Sequence, residues 1–171
     1  MADAATDPET ITLIKDNLAA VRRRIADVAG DAGRSAEDVT LIAVAKMHSR
    51  DAAYAALQAG HREFGENRVQ EAMQKWPPLR DEYPELRLHL IGPLQTNKVM
   101  DAVALFDVIE TVDREKLARA LAREMEKTGS RPECFIEINT GEEPQKAGIT
   151  PDYADAFIKL CRDGLGLPLA G

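Results

Sequence analysis

An α/β fold of the (β/α)8 TIM-barrel type is what this sequence predicts, on three observations. Short apolar runs rich in β-branched residues alternate with helical runs along the chain. Neither GxGxxG nor GxxxxGK[ST] follows an early strand, which counts against the competing open, doubly wound sheet. The chemically unusual residues fall at or just past the C-terminal ends of the predicted strands, the face that carries chemistry in a barrel.

The N-terminal helix is predicted over about residues 8–29. Asp7 and Pro8 supply its cap and first turn, Gly30 and Gly33 close it, and Ile14, Leu18, Val21, Ile25 and Val28 form one apolar stripe. Strands are predicted at "TLIAVAK" (40–46), "LRLHLIG" (86–92), "DVIETV" (107–112) and "CFIEINT" (134–140), with a weaker one at "REFGEN" (62–67). Between them, residues 49–60, 68–76, 96–106, 113–129 and 151–164 read as helices, several ending at glycine. "LGLPLAG" (165–171) reads as the start of a sixth strand, so a single partial barrel domain over residues 1–171, truncated at that point, is expected. Such a barrel would leave an apolar sheet edge for dimerisation or strand exchange to cover.

Composition narrows the function. With 22 basic against 29 acidic residues the net charge is −7, which argues against a broad nucleic-acid surface or an anionic membrane. The basic run Arg22 to Arg24 lies in the first helix and reads as a solvated face. No run reaches the length of a membrane span, and the acidic start "MADAATDPET" lacks the apolar core of a signal peptide, so a cytoplasmic protein is expected. Cys134 and Cys161 are expected to be reduced and packed. His48, His61 and His89 show no metal-ligand spacing, and no metal is expected.

Lys46, Asn67, Gly92 with Pro93, Asp113 and Asn139 are the strand-end residues. With Lys46 pointing into the barrel, alternation sends Val44 and Ile42 inward and Ala45, Ala43 and Leu41 to the helix layer. An amine above an apolar layer is disfavoured as an ammonium and, once neutral, can attack an aldehyde. The alternative is a lysine whose stem packs while its head reaches water. Asn67 and Asp113 also fit N-caps, Asp113 in particular because it precedes "REKLARAL". Gly92 and Pro93 can simply end a strand, and Asn139 can organise the turn before "GEEPQKAG".

Four segments, "LIAVAK", "FGENRVQE", "LHLIGPLQTNK" and "IEINTGEEPQKAG", resemble in order and separation the pyridoxal phosphate homeostasis (YggS-like, PROSC) family from about Val39 onward. The resemblance implies a fold type III-like barrel that binds pyridoxal 5'-phosphate (PLP), as in the N-terminal domain of alanine racemase, with no second catalytic domain. It maps the Schiff-base lysine onto Lys46, places Asn67 beside the cofactor and puts His89 and Asn139 at cofactor-binding positions. Lys98 and Lys146 become auxiliary positions in the loops above the strands. Where the family often has a second lysine, this sequence has His48. Family members continue further and carry there a serine- and glycine-containing phosphate loop and an arginine near the pyridine nitrogen.

The implied function is non-enzymatic: carriage of PLP in vitamin B6 and amino-acid homeostasis, by a monomer or weak homodimer with PLP-dependent apoenzymes as candidate recipients. Two alternatives are a PLP-dependent amino-acid racemase-like enzyme and a catalytically silent barrel fragment. Racemisation needs an acid/base pair on opposite faces of the substrate α-carbon, and the racemase's partner-domain base has no identified counterpart in this sequence.

Overall fold

The structure, a computed structural model, describes residues 8–171; Asp7 and its predicted cap lie outside the described residues. Helix α1 (Pro8–Asp31) is followed by β1 (Ala43–Val44), α2 (Arg50–Gln58), β2 (Glu63–Glu66), α3 (Val69–Lys75), α4 (Pro77–Glu82) and β3 (Arg87–Leu90). Then come α5 (Val99–Leu105), β4 (Val108–Val112), α6 (Glu115–Thr128), β5 (Glu133–Ile136) and α7 (Pro151–Lys159). The five strands pair in sequence order and all in parallel. Consecutive parallel neighbours joined by crossovers of one hand put the helices on one face, as in successive staves of a (β/α)8 barrel.

Alternation within the strands explains which face is the core. In β3, Leu88 and Leu90 are fully buried toward the helices, while Arg87 and His89 point to the opposite, concave face. Phe64 of β2 packs its ring 4.8 Å from Trp76 at the end of α3. Leu117 and Leu121 of α6 complete the same apolar layer. The expected reduced and packed cysteines are found: Cys134 and Cys161 are buried and unpaired, and burial pushes their thiols up to about 12 and about 11. Beyond α7 the chain turns back along β5, where Cys134 N–H donates to Pro168 O and Ala170 N–H to Cys134 O, both at 2.9 Å. That pairing is the start of a sixth stave.

Several elements differ from expectation. The predicted first strand of residues 40–46 keeps ladder geometry only at Ala43–Val44, because among the described residues it pairs with β2 alone and its other edge is unpaired. The weak prediction at residues 62–67 yields a full strand, since β2 is paired on both sides. Helix α4 was not foreseen. Its "PPLRDE" opens with proline inside the first turn, and Arg80 clamps Asp107 with bonds of 3.0 and 2.6 Å. Asp113 does not cap α6: its carboxylate is taken by the guanidinium of Arg114, which is itself the N-cap residue. The stripe on α1 is only partly covered, with Val21 and Val28 exposed.

Arg22 is not merely solvated. Its guanidinium donates to Nδ1 of buried His61 at 3.2 Å, so Nε2 carries the proton that His61 donates to Glu63 O at 2.7 Å. Burial, reinforced by Arg22 and Arg62, holds His61 below its ordinary value of 6.5 against the opposing pull of the Glu63 carbonyl. The folded state therefore keeps His61 neutral while the unfolded chain takes up a proton. This contribution is intact above pH 6.5 and is lost as the pH falls below it. A single proton changes stability by at most about 1.4 kcal/mol per pH unit. Thermal unfolding of the wild type is expected to lose midpoint between pH 7.5 and 5.5 more steeply than that of His61→Gln; equal slopes would remove His61 from the account.

Candidate functional site

The C-terminal end of β1 runs into a tight turn. Ala45 is buried in the core and donates to Gly65 O at 2.9 Å, and His48 N–H closes the turn on Ala45 O at 3.1 Å. Lys46 and Met47 are the two central residues, and Met47 takes a left-handed φ of 61°, which a non-glycine residue adopts at a cost. Lys46 is exposed, and among the described residues its amine makes no ion pair or hydrogen bond. Alternation holds as expected in that Ala45 is buried while Val44 is 44% exposed. Among the described residues no strand pairs with the far side of β1, and the concave face is open beside Val44.

The ends of β2 and β3 are locked together. Ile91 N–H donates to Glu66 O at 2.9 Å, and a Cβ added at Gly92 would lie 2.3 Å from Asn67 O. Gly92 is therefore more than a strand breaker. Asn67 does not cap α3, whose N-cap is Arg68; its Oδ1 is buried without a hydrogen-bond partner, an acceptor left open at the strand end. Asn67 and Lys98 line one cavity of about 550 Å³ together with Gln95 and Arg114. Among the described residues that line it there is no carboxylate.

His89 lies deeper on the concave face and is 6% exposed. Its Nε2 is 2.7 Å from Glu63 Oε2 and its Nδ1 2.7 Å from Glu110 Oε1. Both bonds are made at once only when both ring nitrogens carry protons or one carboxyl does. Asn139 does organise a turn, with Nδ2 donating to Glu143 O at 2.9 Å, and it shares a second cavity of about 270 Å³ with Lys146 and Glu137. Lys146 is paired with Glu143. Burial, with Asp113 nearby, holds the Glu137 carboxyl above the usual carboxylate range.

Among the described residues, Asn67 and Lys98 line one cavity and Asn139 and Lys146 another, while Lys46 stands on the β1 turn and His89 is bonded to Glu63 and Glu110. Sequence reasoning missed Glu63 and Glu110, the partners of His89, and also Glu66, Lys75 and Trp76, which meet behind Lys46. A signal was present for Glu66, an acid at a position of "EFGE" whose alternation turns it toward the helices with Phe64. An exposed, uncommitted primary amine on a fixed turn fits the aldehyde end of a carbonyl cofactor.

A parallel sheet of consecutive staves with a lysine on the turn after its first strand defines a class, and the comparison with known families agrees: the alanine racemase, N-terminal domain family matches residues 17–171. The pyridoxal phosphate homeostasis protein of Vibrio cholerae serotype O1 is 37% identical over 160 residues, spanning 92% of this chain and 68% of that protein. PipY of Synechococcus elongatus is 37% identical; its structure without PLP aligns over 91% of this chain and 66% of PipY with a TM-score of 0.76. The structure of PipY with PLP bound aligns over 85% of this chain with a TM-score of 0.66. Alanine racemase from Corynebacterium glutamicum, at 19% identity and a TM-score of 0.62, shares the fold. The chain belongs to the pyridoxal phosphate homeostasis protein family, and it spans about two thirds of the length of these relatives. No helix among the described residues is long and apolar enough to cross a membrane.

Proposed function

We propose that this chain binds PLP covalently on Lys46 and serves PLP and amino-acid homeostasis in the cytoplasm as a binding protein rather than an enzyme. The observation that carries the reading is the exposed Lys46 amine, free of partners among the described residues, on a backbone turn fixed at the end of β1. When bound, PLP supplies an aldehyde that condenses reversibly with a primary amine, one water leaving, and a phosphate that anchors the ring. Lys46 captures and Asn67, with its open acceptor at the neighbouring strand end, orients. His89 holds Glu63 and Glu110 together beneath the site, and Asn139 shapes the loop that carries Lys146. Lys98 and Lys146 stand as auxiliary cations. Support for carriage over catalysis comes from the relatives, which are named for homeostasis, while the likeness to racemases is one of fold.

In this reading the chain acts as one domain, monomeric or weakly dimeric, and passes PLP to apoenzymes. Borohydride reduction of protein incubated with PLP, followed by peptide mass spectrometry, is expected to find the pyridoxyl group on Lys46. Reduced protein carrying no label there overturns the assignment. Incubating the loaded protein with L-amino acids tests the enzymatic alternative, and no D-enantiomer above the level given by free PLP is expected.

A further inference from the structure

Two buried ions lie directly behind the Lys46 turn. Glu66 ends β2 with its side chain fully buried, and its Oε1 accepts from Trp76 Nε1 at 2.9 Å and from Lys75 Nζ at 2.7 Å. Lys75, whose side chain is 10% exposed, donates a second bond of 2.7 Å to the carbonyl of Ala45. That carbonyl is the one that closes the turn on His48 N–H. One oxygen thus receives both a backbone amide and an ammonium, and the next residue along is Lys46.

A buried ion pair is weak ground for stability, because well-packed apolar side chains of similar size often serve as well or better. An apolar pair cannot grip a carbonyl. Here the grip falls on the peptide that fixes the direction of Lys46, next to Met47 in its left-handed conformation, where relaxed backbone would prefer another geometry. Glu66 and Trp76 in turn hold Lys75: the carboxylate balances its charge, and the indole occupies the same oxygen from the core side. Holding an amine in one direction raises its effective concentration at a bound carbonyl.

We propose that Lys75, held by Glu66 and Trp76, is a positioning residue for Lys46: it fixes the Ala45 carbonyl, and with it the turn that presents the Lys46 amine to the cofactor aldehyde, resting on the assignment of Lys46 made above. Lys75 does not touch the cofactor. It acts through the backbone.

The test compares Lys75→Met with Leu79→Ala, a buried position of α4 outside this bridge, in the full chain loaded with PLP. Four readouts are taken: PLP retained after dialysis, the pH titration of the bound cofactor's visible absorbance, hydrogen exchange at the His48 amide, and the melting temperature. Lys75→Met is expected to lower PLP affinity roughly tenfold, to move the titration midpoint and to speed exchange at His48. Leu79→Ala is expected to lower the melting temperature while keeping the wild-type titration. A Lys75→Met protein with wild-type retention and titration overturns the proposal, as does a Leu79→Ala protein that reproduces the same changes. Should Lys75→Met fail to fold, Glu66→Gln, which keeps the shape and removes the counter-charge, is read by the same criteria. A wild type that takes up no PLP overturns the Lys46 assignment and this proposal with it, so the wild-type spectrum separates the two failures.

Discussion

Replacing Lys46 with alanine is expected to abolish covalent PLP attachment while leaving stability within about 0.5 kcal/mol of the wild type. The two halves of that expectation have different physical sources. Loss of the adduct follows from chemistry: alanine has no amine, and two of the other lysines singled out are already committed. Lys75 is bonded to Glu66 and Ala45 O, and Lys146 is paired with Glu143. Preserved stability follows from packing: Lys46 is exposed, no hydrogen bond of its side chain is lost among the described residues, and the turn is closed by backbone atoms of Ala45 and His48. Mass spectrometry after borohydride reduction and urea unfolding of the same preparation check both halves. Undiminished labelling in Lys46→Ala would move the attachment point to another lysine; a loss of several kcal/mol would mean that the Lys46 stem packs after all.

How much of this was legible in the sequence differs between fold and site. Runs such as "LRLHLIG" announce a half-buried strand because Leu88 and Leu90 alternate with Arg87 and His89, and the structure places those leucines in the core. Strand ends were less legible. "TLIAVAK" has strand composition throughout, yet only two residues keep ladder geometry, since pairing depends on a neighbour that the local sequence does not specify. Within the site, Lys46 was found because it interrupts an apolar run. The Glu63–His89–Glu110 cluster was not, because it joins residues from three strands, and only their register brings them within hydrogen-bonding distance. Lys75 was hidden for a related reason: in sequence it is an ordinary basic residue in the last turn of a helix, and its partner Ala45 O is a backbone atom 30 positions away. Asp113 shows the opposite error. Its position favoured a cap, but an arginine beside it competes for the same carboxylate.

Gly92→Ala is expected to destabilise the fold by about 3 kcal/mol, more than any glycine substitution made where space is open. The added Cβ would stand 2.3 Å from Asn67 O, 2.7 Å from its Cα and 2.9 Å from its carbonyl carbon, and all three are backbone atoms that no rotamer change can remove. Relief requires the ends of β2 and β3 to separate. That movement strains the bond from Ile91 N–H to Glu66 O and the one from Thr111 Oγ1 to Gly92 O, both 2.9 Å and in the interior. Gly129 supplies the contrast. It closes α6 at a φ of 77° with nothing near the position of a Cβ, so Gly129→Ala meets only the left-handed backbone penalty of about 1 kcal/mol. Urea unfolding midpoints of the two variants separate crowding from conformational cost, and equal losses would mean that β2 and β3 can part freely. Because the displaced residue is Asn67, Gly92→Ala is also expected to weaken PLP retention in whatever fraction remains folded, whereas Gly129→Ala, at the far end of a helix, leaves it unchanged.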